Sequence, residues 1–316
     1  MKWVKLSIAG LLAAGLAISF ADGKKKFMLY RCWRSAYNPI YCYSKKPFDF
    51  SADFFGMRYE GNTRDRQDLD ILAFGAYEKS YLFFMRDVLR RVAPDRNGIF
   101  VDVGANRGQH SLFMSQYAKE VHAFEPYQPI VDRFRHQLKI NNVKNVGIYP
   151  VGLGDRPAKI PFFSPGDETN QGTGSFIETF SEKNKKYHEL EIAVGDEVLE
   201  KAGVQRIDVI KIDVEGYERP VLIGLRRSLV KNRPIVEFEL TTGVRNDVGF
   251  KSMDEIVNTF PDGYKFGTLA EIDKFTGAYQ MEPLRGKVPK FDFDGRLEMI
   301  AYPAEKESLI PFSGPK

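Results

Sequence analysis

The amino-acid sequence predicts an α/β protein built on a parallel, doubly wound sheet. Short apolar runs, among them Ile99–Val103 and Ile207–Asp213, alternate with stretches of helical periodicity from about Asp68 onward. The first of these runs leads directly into a glycine-bearing turn, Gly104-Ala105-Asn106-Arg107-Gly108, with a helical stretch after it. Strands that alternate with helices at this spacing are joined by crossovers, the connection that parallel strands require.

Taken in order, Asp70 to Val92 reads as one helix, ended by the approach of Pro94. Ile99–Val103 is the first strand, Ser111–Ala118 a helix, Val121–Phe124 the second strand, Gln128–Ile140 a helix and Val146–Val151 the third strand. Ser164–Leu190 is rich in Gly, Ser, Thr, Asn and Lys and breaks the rhythm, which predicts a long mobile excursion of the kind used as a lid. The alternation resumes with a helix at Val194–Lys201, a strand at Ile207–Asp213, a helix at Arg219–Val230 and a strand at Ile235–Leu240. Thr241–Arg296 is less regular and holds a helix at Met253–Thr259, and Leu297–Tyr302 reads as a closing strand. The division that follows is an apolar segment 1–21, a basic aromatic-rich arm 22–68, a main domain 69–304 that contains the 164–190 loop and a 241–296 extension, and a tail 305–316.

With 316 residues, 43% of them apolar and 28% charged, the chain is long enough for a substantial core. Its net charge of +4 is unevenly spread: residues 1–47 carry nine Lys/Arg against Asp22 alone, leaving 37 basic and 41 acidic residues from Phe48 onward. A slightly acidic body lacks the field that neutralises many phosphates, so nucleic acid is not the expected substrate. The basic arm suits a membrane surface.

The apolar run Leu6–Phe20 follows Lys2 and Lys5 and ends within Ser19-Phe20-Ala21, a loose small-x-small site. Two readings stay open: an exported chain cleaved near Ala21, or an uncleaved anchor with the main domain on the cytosolic side. Lys24-Lys25-Lys26, Arg31 and Arg34 favour the anchor, since positive flanks are retained inside. Cys32 and Cys42 both lie in the arm and receive no catalytic or metal role.

The turn after Val103 lets a ligand approach the backbone closely. It lacks the three-glycine spacing of dinucleotide enzymes, because Asn106 and Gln109 stand at two of those positions. Asp102, just before the turn, disfavours phosphate and suits an ammonium or sulfonium; a strand-to-helix turn without a ligand is the plainer alternative. Phe124-Glu125-Pro126 ends the second strand, where an acid can accept hydrogen bonds from both ribose hydroxyls of an adenosine ligand. In Asp208–Glu218 the charged residues Lys211, Asp213 and Glu215 share one face by the period of two, with Asp213 at the carboxyl edge and Lys211 deeper. A buried lysine needs a partner, and a structural Lys211–Glu237 pair is expected, with Glu239 as the other candidate.

These motifs resemble the FkbM family of S-adenosylmethionine-dependent methyltransferases. The residues that carry the resemblance are Val101–Gly108, Phe124-Glu125-Pro126, Val151-Gly152-Leu153-Gly154-Asp155 and, most specifically, Ile210-Lys211-Ile212-Asp213-Val214-Glu215-Gly216-Tyr217-Glu218; the resemblance covers roughly residues 75–302. The resemblance implies a class I methyltransferase (Rossmann-like) sheet of seven strands, the last antiparallel, and O-methylation with S-adenosyl-L-methionine as cofactor. It implies that Asp102 and the loop residues Gly104, Ala105, Asn106 and Gly108 surround the methionine part. Glu125, followed by Pro126, would hold the ribose, and Val151 and Gly152 would lie against adenine. Asp213 would face the methyl group, with Glu78 near the amino-acid end.

Absences narrow the chemistry. No Pro-Pro pair supplies the loop used on nucleobase amines, and no Pro-Cys supplies a nucleophile for cytosine carbon. A hydroxyl or carboxyl acceptor on a small molecule or glycan remains. Positioning supplies much of the acceleration of an in-line methyl transfer, and a base helps with an alcohol. Asp213 and Glu215 are the candidates, with His110 in reserve and no metal expected. An NAD(P)-dependent oxidoreductase also explains the turn and Glu125, but no plausible Tyr-x-x-x-Lys pair accompanies them; a non-catalytic, membrane-tethered binding module is the reading outside enzymology.

Overall fold

The computed structural model describes residues 47–166, 172–241, 248–284 and 296–315. The apolar segment, most of the basic arm and both cysteines lie outside them, and with them the anchor-or-signal reading. Among the described residues, no helix is long and apolar enough to cross a membrane.

A hairpin of β1 (Asp49–Phe54) and β2 (Met57–Asn62) opens the described chain, followed by α1 (Arg66–Phe74) and α2 (Lys79–Val92). Then come β3 (Ile99–Val103), α3 (Gln109–Met114), β4 (Glu120–Phe124), α4 (Gln128–Ile140) and β5 (Val146–Tyr149). A small second sheet is made of β6 (Gly152–Gly154), β7 (Ala158–Ser164) and β8 (Lys185–Val194), in the order β6-β8-β7. The main alternation continues through α5 (Gly195–Lys201), β9 (Val209–Ile212), α6 (Glu218–Gly224), α7 (Arg226–Asn232), β10 (Ile235–Thr241), α8 (Met253–Thr259), β11 (Tyr264–Asp273), β12 (Ala278–Pro283) and β13 (Arg296–Pro303).

The main sheet runs β12-β11-β13-β10-β9-β3-β4-β5, with β10, β9, β3, β4 and β5 parallel and β13 antiparallel between β10 and β11. This is the class I methyltransferase arrangement of seven strands, last strand antiparallel, extended by β12 as an eighth strand at the edge. Side chains alternate across it. Phe100, Val209 and Ile235 pack beneath α2, α3 and α4, whereas Val101, Ile210 and Val236 face α5 to α8. The parallel register Asp102↔Lys211↔Glu237 therefore puts three charged residues on the α2–α3 side of the central strands.

Several boundaries depart from the sequence reading. Asp70–Val92 is two helices, because α1 ends at Gly75 (φ 82°) and the chain re-enters helix through Glu78 at φ 51°. Arg219–Val230 also divides, into α6 and α7, at Leu225, whose φ of −104° is not left-handed. The third strand stops at Tyr149, and Gly152–Gly154 joins the second sheet instead. Residues 47–68, expected in the arm, fold into the hairpin and the start of α1, with Phe54 and Tyr59 fully buried. Thr241–Arg296 carries the β11–β12 hairpin, and the tail lies along β12, where Met281 N donates to Phe312 O and Ile310 is buried.

An ion network fastens the hairpin and α1 to the glycine turn. Asp65 caps α1 by accepting from the Gln67 and Asp68 amides, and its other oxygen pairs with Arg107. Arg107 also bonds Asp68 at 2.9 Å, which accepts from Tyr59 Oη at 2.9 Å. All of these side chains are buried, so α1 is held in place by charged groups paired in the interior.

Candidate active site

β3 hands its chain to the turn through Gly104, whose φ of 79° is left-handed. A Cβ at this position would lie 1.7 Å from the backbone oxygen of Asp213. Glycine is required here because the end of β9 crosses against it, and room for a ligand alone does not account for it. Gly108 (φ 77°) is constrained by the Phe134 ring, which a Cβ would meet at 1.9 Å. Between them Asn106, at φ 50°, turns its amide toward Glu125.

Glu125 leaves the end of β4 and is held by two backbone donors: Asn106 N reaches one carboxylate oxygen at 3.0 Å and Tyr127 N the other at 2.9 Å. Burial pushes its pKa up to about 7 against the pull of those two bonds. Each oxygen keeps a second lone-pair direction for a further donor.

A cleft of about 780 Å³, open on one side, lies at the carboxyl edge of β3, β4 and β9. Its polar wall is Gly104, Asn106, Glu125, Asp213 and Glu215, and its apolar wall includes Ile130, Val151, Leu153 and Phe162. Pro126 and Gly152 line it as well. The segment after residue 171 closes one side: Gly172, Gly174 and Phe176 face the cleft, Ser175 Oγ donates to Glu215 O at 2.8 Å, and the Phe176 ring stands 5.2 Å from Phe162 and 5.6 Å from Tyr217.

Asp213 sits one residue beyond β9. Lys211 Nζ donates to its Oδ2 at 3.2 Å, while its buried Oδ1 has no hydrogen-bond partner. The expected Lys211–Glu237 pair is thus corrected: Glu237 is Lys211's neighbour in register, but the direct bond goes to Asp213. Burial would lower the Lys211 pKa, and the carboxylates of Asp213, Asp102, Glu237 and Glu78 outweigh it and hold the ammonium above its usual range. Glu237 bonds instead to Glu298, whose carboxyl pKa is raised well above its usual range by burial and by Glu237. Glu215 (φ 53°), Asp213 and Glu239 bring carboxylate oxygens within 4.8 Å of one another. Below them Glu218 accepts from Gly216 N at 2.9 Å and fixes the turn.

Four of the sequence candidates stand behind the cleft wall. Asp102 is fully buried and accepts from Ser111 Oγ at 2.6 Å, so it anchors α3 beneath the turn. Ala105 and Gly108 shape the turn without lining the cleft. His110 is a correction as reserve base: α3 turns it inward, burial and Lys211 keep it neutral, and its unpartnered Nε2 faces Glu78 Oε2 at 3.7 Å. Glu78 lines a neighbouring cleft, its pKa raised to about 7 by burial and by Asp213.

Sequence reasoning missed Gln67 and Tyr77, which line both clefts. Tyr77 is fastened by its backbone, its N–H donating to Gln109 Oε1 and its carbonyl accepting from Gln109 Nε2, both at 2.8 Å, and its hydroxyl bonds the Glu78 carboxylate. The only sequence signal for Tyr77 was its place beside Glu78; Gln67 carried none.

Residues 102–266 match the family described as the Methyltransferase FkbM domain. The chain is 32% identical over 149 residues to a protein of Haloferax volcanii named Hexuronic acid methyltransferase AglP, covering 46% of this chain and 57% of that one. It is 30% identical over 152 residues to Methyltransferase 1 of Beauveria bassiana, covering 42% of this chain and 61% of the relative. The matches therefore span less than two thirds of either relative. Among solved structures, Methyltransferase FkbM of Methylobacillus flagellatus aligns over 69% of this chain and 48% of its own, with 15% identity and a TM-score of 0.42.

Proposed function

The chain belongs to the FkbM family of S-adenosylmethionine-dependent methyltransferases, and from that premise we propose that it methylates a hydroxyl of a carbohydrate, lipid-linked or secondary-metabolite acceptor. The observation that carries the reading is the pairing, in one cleft, of Glu125, with acceptor capacity to spare on both oxygens, and Asp213, with one oxygen unpartnered. The donor set fits S-adenosylmethionine from end to end. Backbone groups of Gly104 and Asn106 suit the amino-acid end, Glu125 the ribose, and Ile130, Val151, Leu153 and Phe162 the adenine. The name of the Haloferax relative adds a sugar to the acceptor classes worth testing.

When bound, the cofactor supplies an electrophilic methyl group with a good leaving group. The protein's part is then to hold the acceptor oxygen in line and to take its proton. Lys211 ties one oxygen of Asp213 and leaves Oδ1 to receive a hydroxyl hydrogen, and Glu215 stands on the same face as its partner. We further propose, from the segment 1–21 and the basic arm, that the chain is membrane-anchored with this domain on the cytosolic side.

Titrating the full chain with S-adenosylmethionine and with NADH by calorimetry tests the assignment. Heat from the first and not the second is the expected result; binding of NADH alone would replace the reading with an oxidoreductase, and binding of neither would leave a non-catalytic module.

A further inference from the structure

A second cleft, of about 1250 Å³ with its open mouth, adjoins the first across Gln67 and Tyr77. Four carboxyl groups line it, Glu78 from the head of α2, Glu239 from β10, Glu271 from β11 and Glu298 from β13. Its cations do not balance them. Lys274 Nζ is 3.3 Å from Asp70 Oδ2 and 3.9 Å from Glu271 Oε1, and Arg66 is exposed.

The wall is short of donors. Glu298 Oε2 is buried without a hydrogen-bond partner, and so is Glu237 Oε2 just behind it on a residue only 3% exposed. Groups of this kind are costly to bury unmatched, so the cavity is built for a ligand that brings hydrogen-bond donors. The rest of the lining is aromatic and aliphatic: the rings of Tyr77 and Tyr81 and the side chains of Leu269 and Leu297. Carboxylates that accept from vicinal hydroxyls, set beside rings that cover a C–H face, are complementary to a pyranose.

Resting on the methyl-transfer reading of the first cleft, we infer that this second cleft seats the methyl acceptor and selects an uncharged, hydroxyl-rich glycosyl group against one that carries a carboxylate or phosphate. Tyr77 is the shared wall, which brings a hydroxyl of the acceptor up to Asp213 and Glu215. The carboxyl groups of this wall already disfavour negative charge on one another, which with burial holds Glu298 well above its usual range and brings Glu78 to about 7, and an anionic sugar would add a further negative charge beside them.

The test uses the full chain with methyl-labelled S-adenosylmethionine and matched pairs of methyl hexopyranosides and methyl hexopyranosiduronates of the gluco, galacto and manno series. The neutral member of the best pair should be favoured by about 100-fold in kcat/KM, the scale of a like charge placed a few ångström from unscreened carboxylates. Tyr81→Ala should raise KM for that hexoside several-fold with little change in kcat, and Glu271→Gln should narrow the preference over the uronate. A uronate used as well as or better than its neutral partner would overturn the inference. So would methylation of neither series by a chain that still binds S-adenosylmethionine in the calorimeter. A chain that does not bind the cofactor fails earlier, at the first cleft, and takes the inference with it.

Discussion

Replacing Glu125 by alanine tests the cofactor reading where its geometry is most explicit. A carboxylate offers about four acceptor positions, and the Asn106 and Tyr127 amides occupy one on each oxygen at 3.0 and 2.9 Å. The two that remain match the two hydroxyls of a ribose. Charge-assisted bonds of this kind contribute ~1–3 kcal/mol in total after desolvation, so the Kd for S-adenosylmethionine should rise roughly five- to 150-fold in Glu125→Ala. Calorimetry at pH 8 reads this loss, with circular dichroism to show that the turn and helices survive. Glu125→Gln is no gentler, because its amide nitrogen would confront one of the two backbone N–H donors. A second arm uses the titration. Burial raises Glu125 to about 7, whereas ribose hydroxyls favour its ionised form, so below pH 7 the parent must lose a proton in order to bind. The gap between parent and Glu125→Ala should therefore shrink from pH 8 to pH 6. An alanine variant that binds as tightly as the parent, or a gap constant across that range, would refute the reasoning.

Asp213→Asn keeps the shape and removes the charge, and should lower turnover by ~10²–10⁴-fold with cofactor affinity little changed; a large loss of affinity would move Asp213 into the cofactor shell, and unchanged turnover would remove it from the chemistry. Arg107→Met removes the guanidinium that pairs with buried Asp65 and Asp68 and should cost about 3–5 kcal/mol in urea unfolding, a figure that a loss under 1 kcal/mol would contradict. Stability should fall as pH rises from 6.5 to 8. Burial holds Glu78, Glu125, Glu218 and Glu237 near 7 in the folded chain against an ordinary 4.5, so the folded state keeps protons that the unfolded one has lost. His110 and His122 are lowered by burial and act in the opposite sense only below about 6.5, which leaves the window to the acids; a higher urea midpoint at pH 8 than at 6.5 would defeat the assignment. For the proposed anchor, the full chain should sediment with membranes and resist release by high salt, and recovery of a mature chain beginning at Asp22 from an exported fraction would argue for cleavage instead.

The parts of the site legible in the sequence are those set by period and by single turns. Lys211 and Asp213 were placed on one face, and Asp213 and Glu125 at the edge of the sheet, by counting along strands; Glu215 lies beyond the end of β9 at φ 53°, and that turn, not the strand period, brings it beside Asp213. The parts that were not legible are set by contacts distant along the chain. Nothing near residue 77 announces that Gln109, 32 residues on, fixes its backbone, or that α2 will bring Glu78 against Lys211 and Asp213. The break at Gly75–Glu78 was hidden for the same reason, since local periodicity runs on through it and only the buried destination of Glu78 explains a left-handed glutamate there. β11 and β12 were missed because their alternation is weak until β13 is in place to pair with β11.

Gly104 shows how a correct residue can be chosen for an incomplete reason. Sequence reading assigns its glycine to the approach of a ligand, yet the nearest atom to a Cβ there is the Asp213 carbonyl oxygen, which leaves no space even for alanine. The same contact brings the end of β3 against the end of β9, and so sets the turn that carries Asn106 beside the residue that carries the free carboxylate oxygen. Close packing at this glycine is therefore a precondition for one cleft to hold both Glu125, through Asn106, and Asp213. A substitution at Gly104 would disturb that junction before it could obstruct any ligand, which is why Glu125 and Asp213, whose side chains can be changed without moving the backbone, are the residues that separate binding from catalysis.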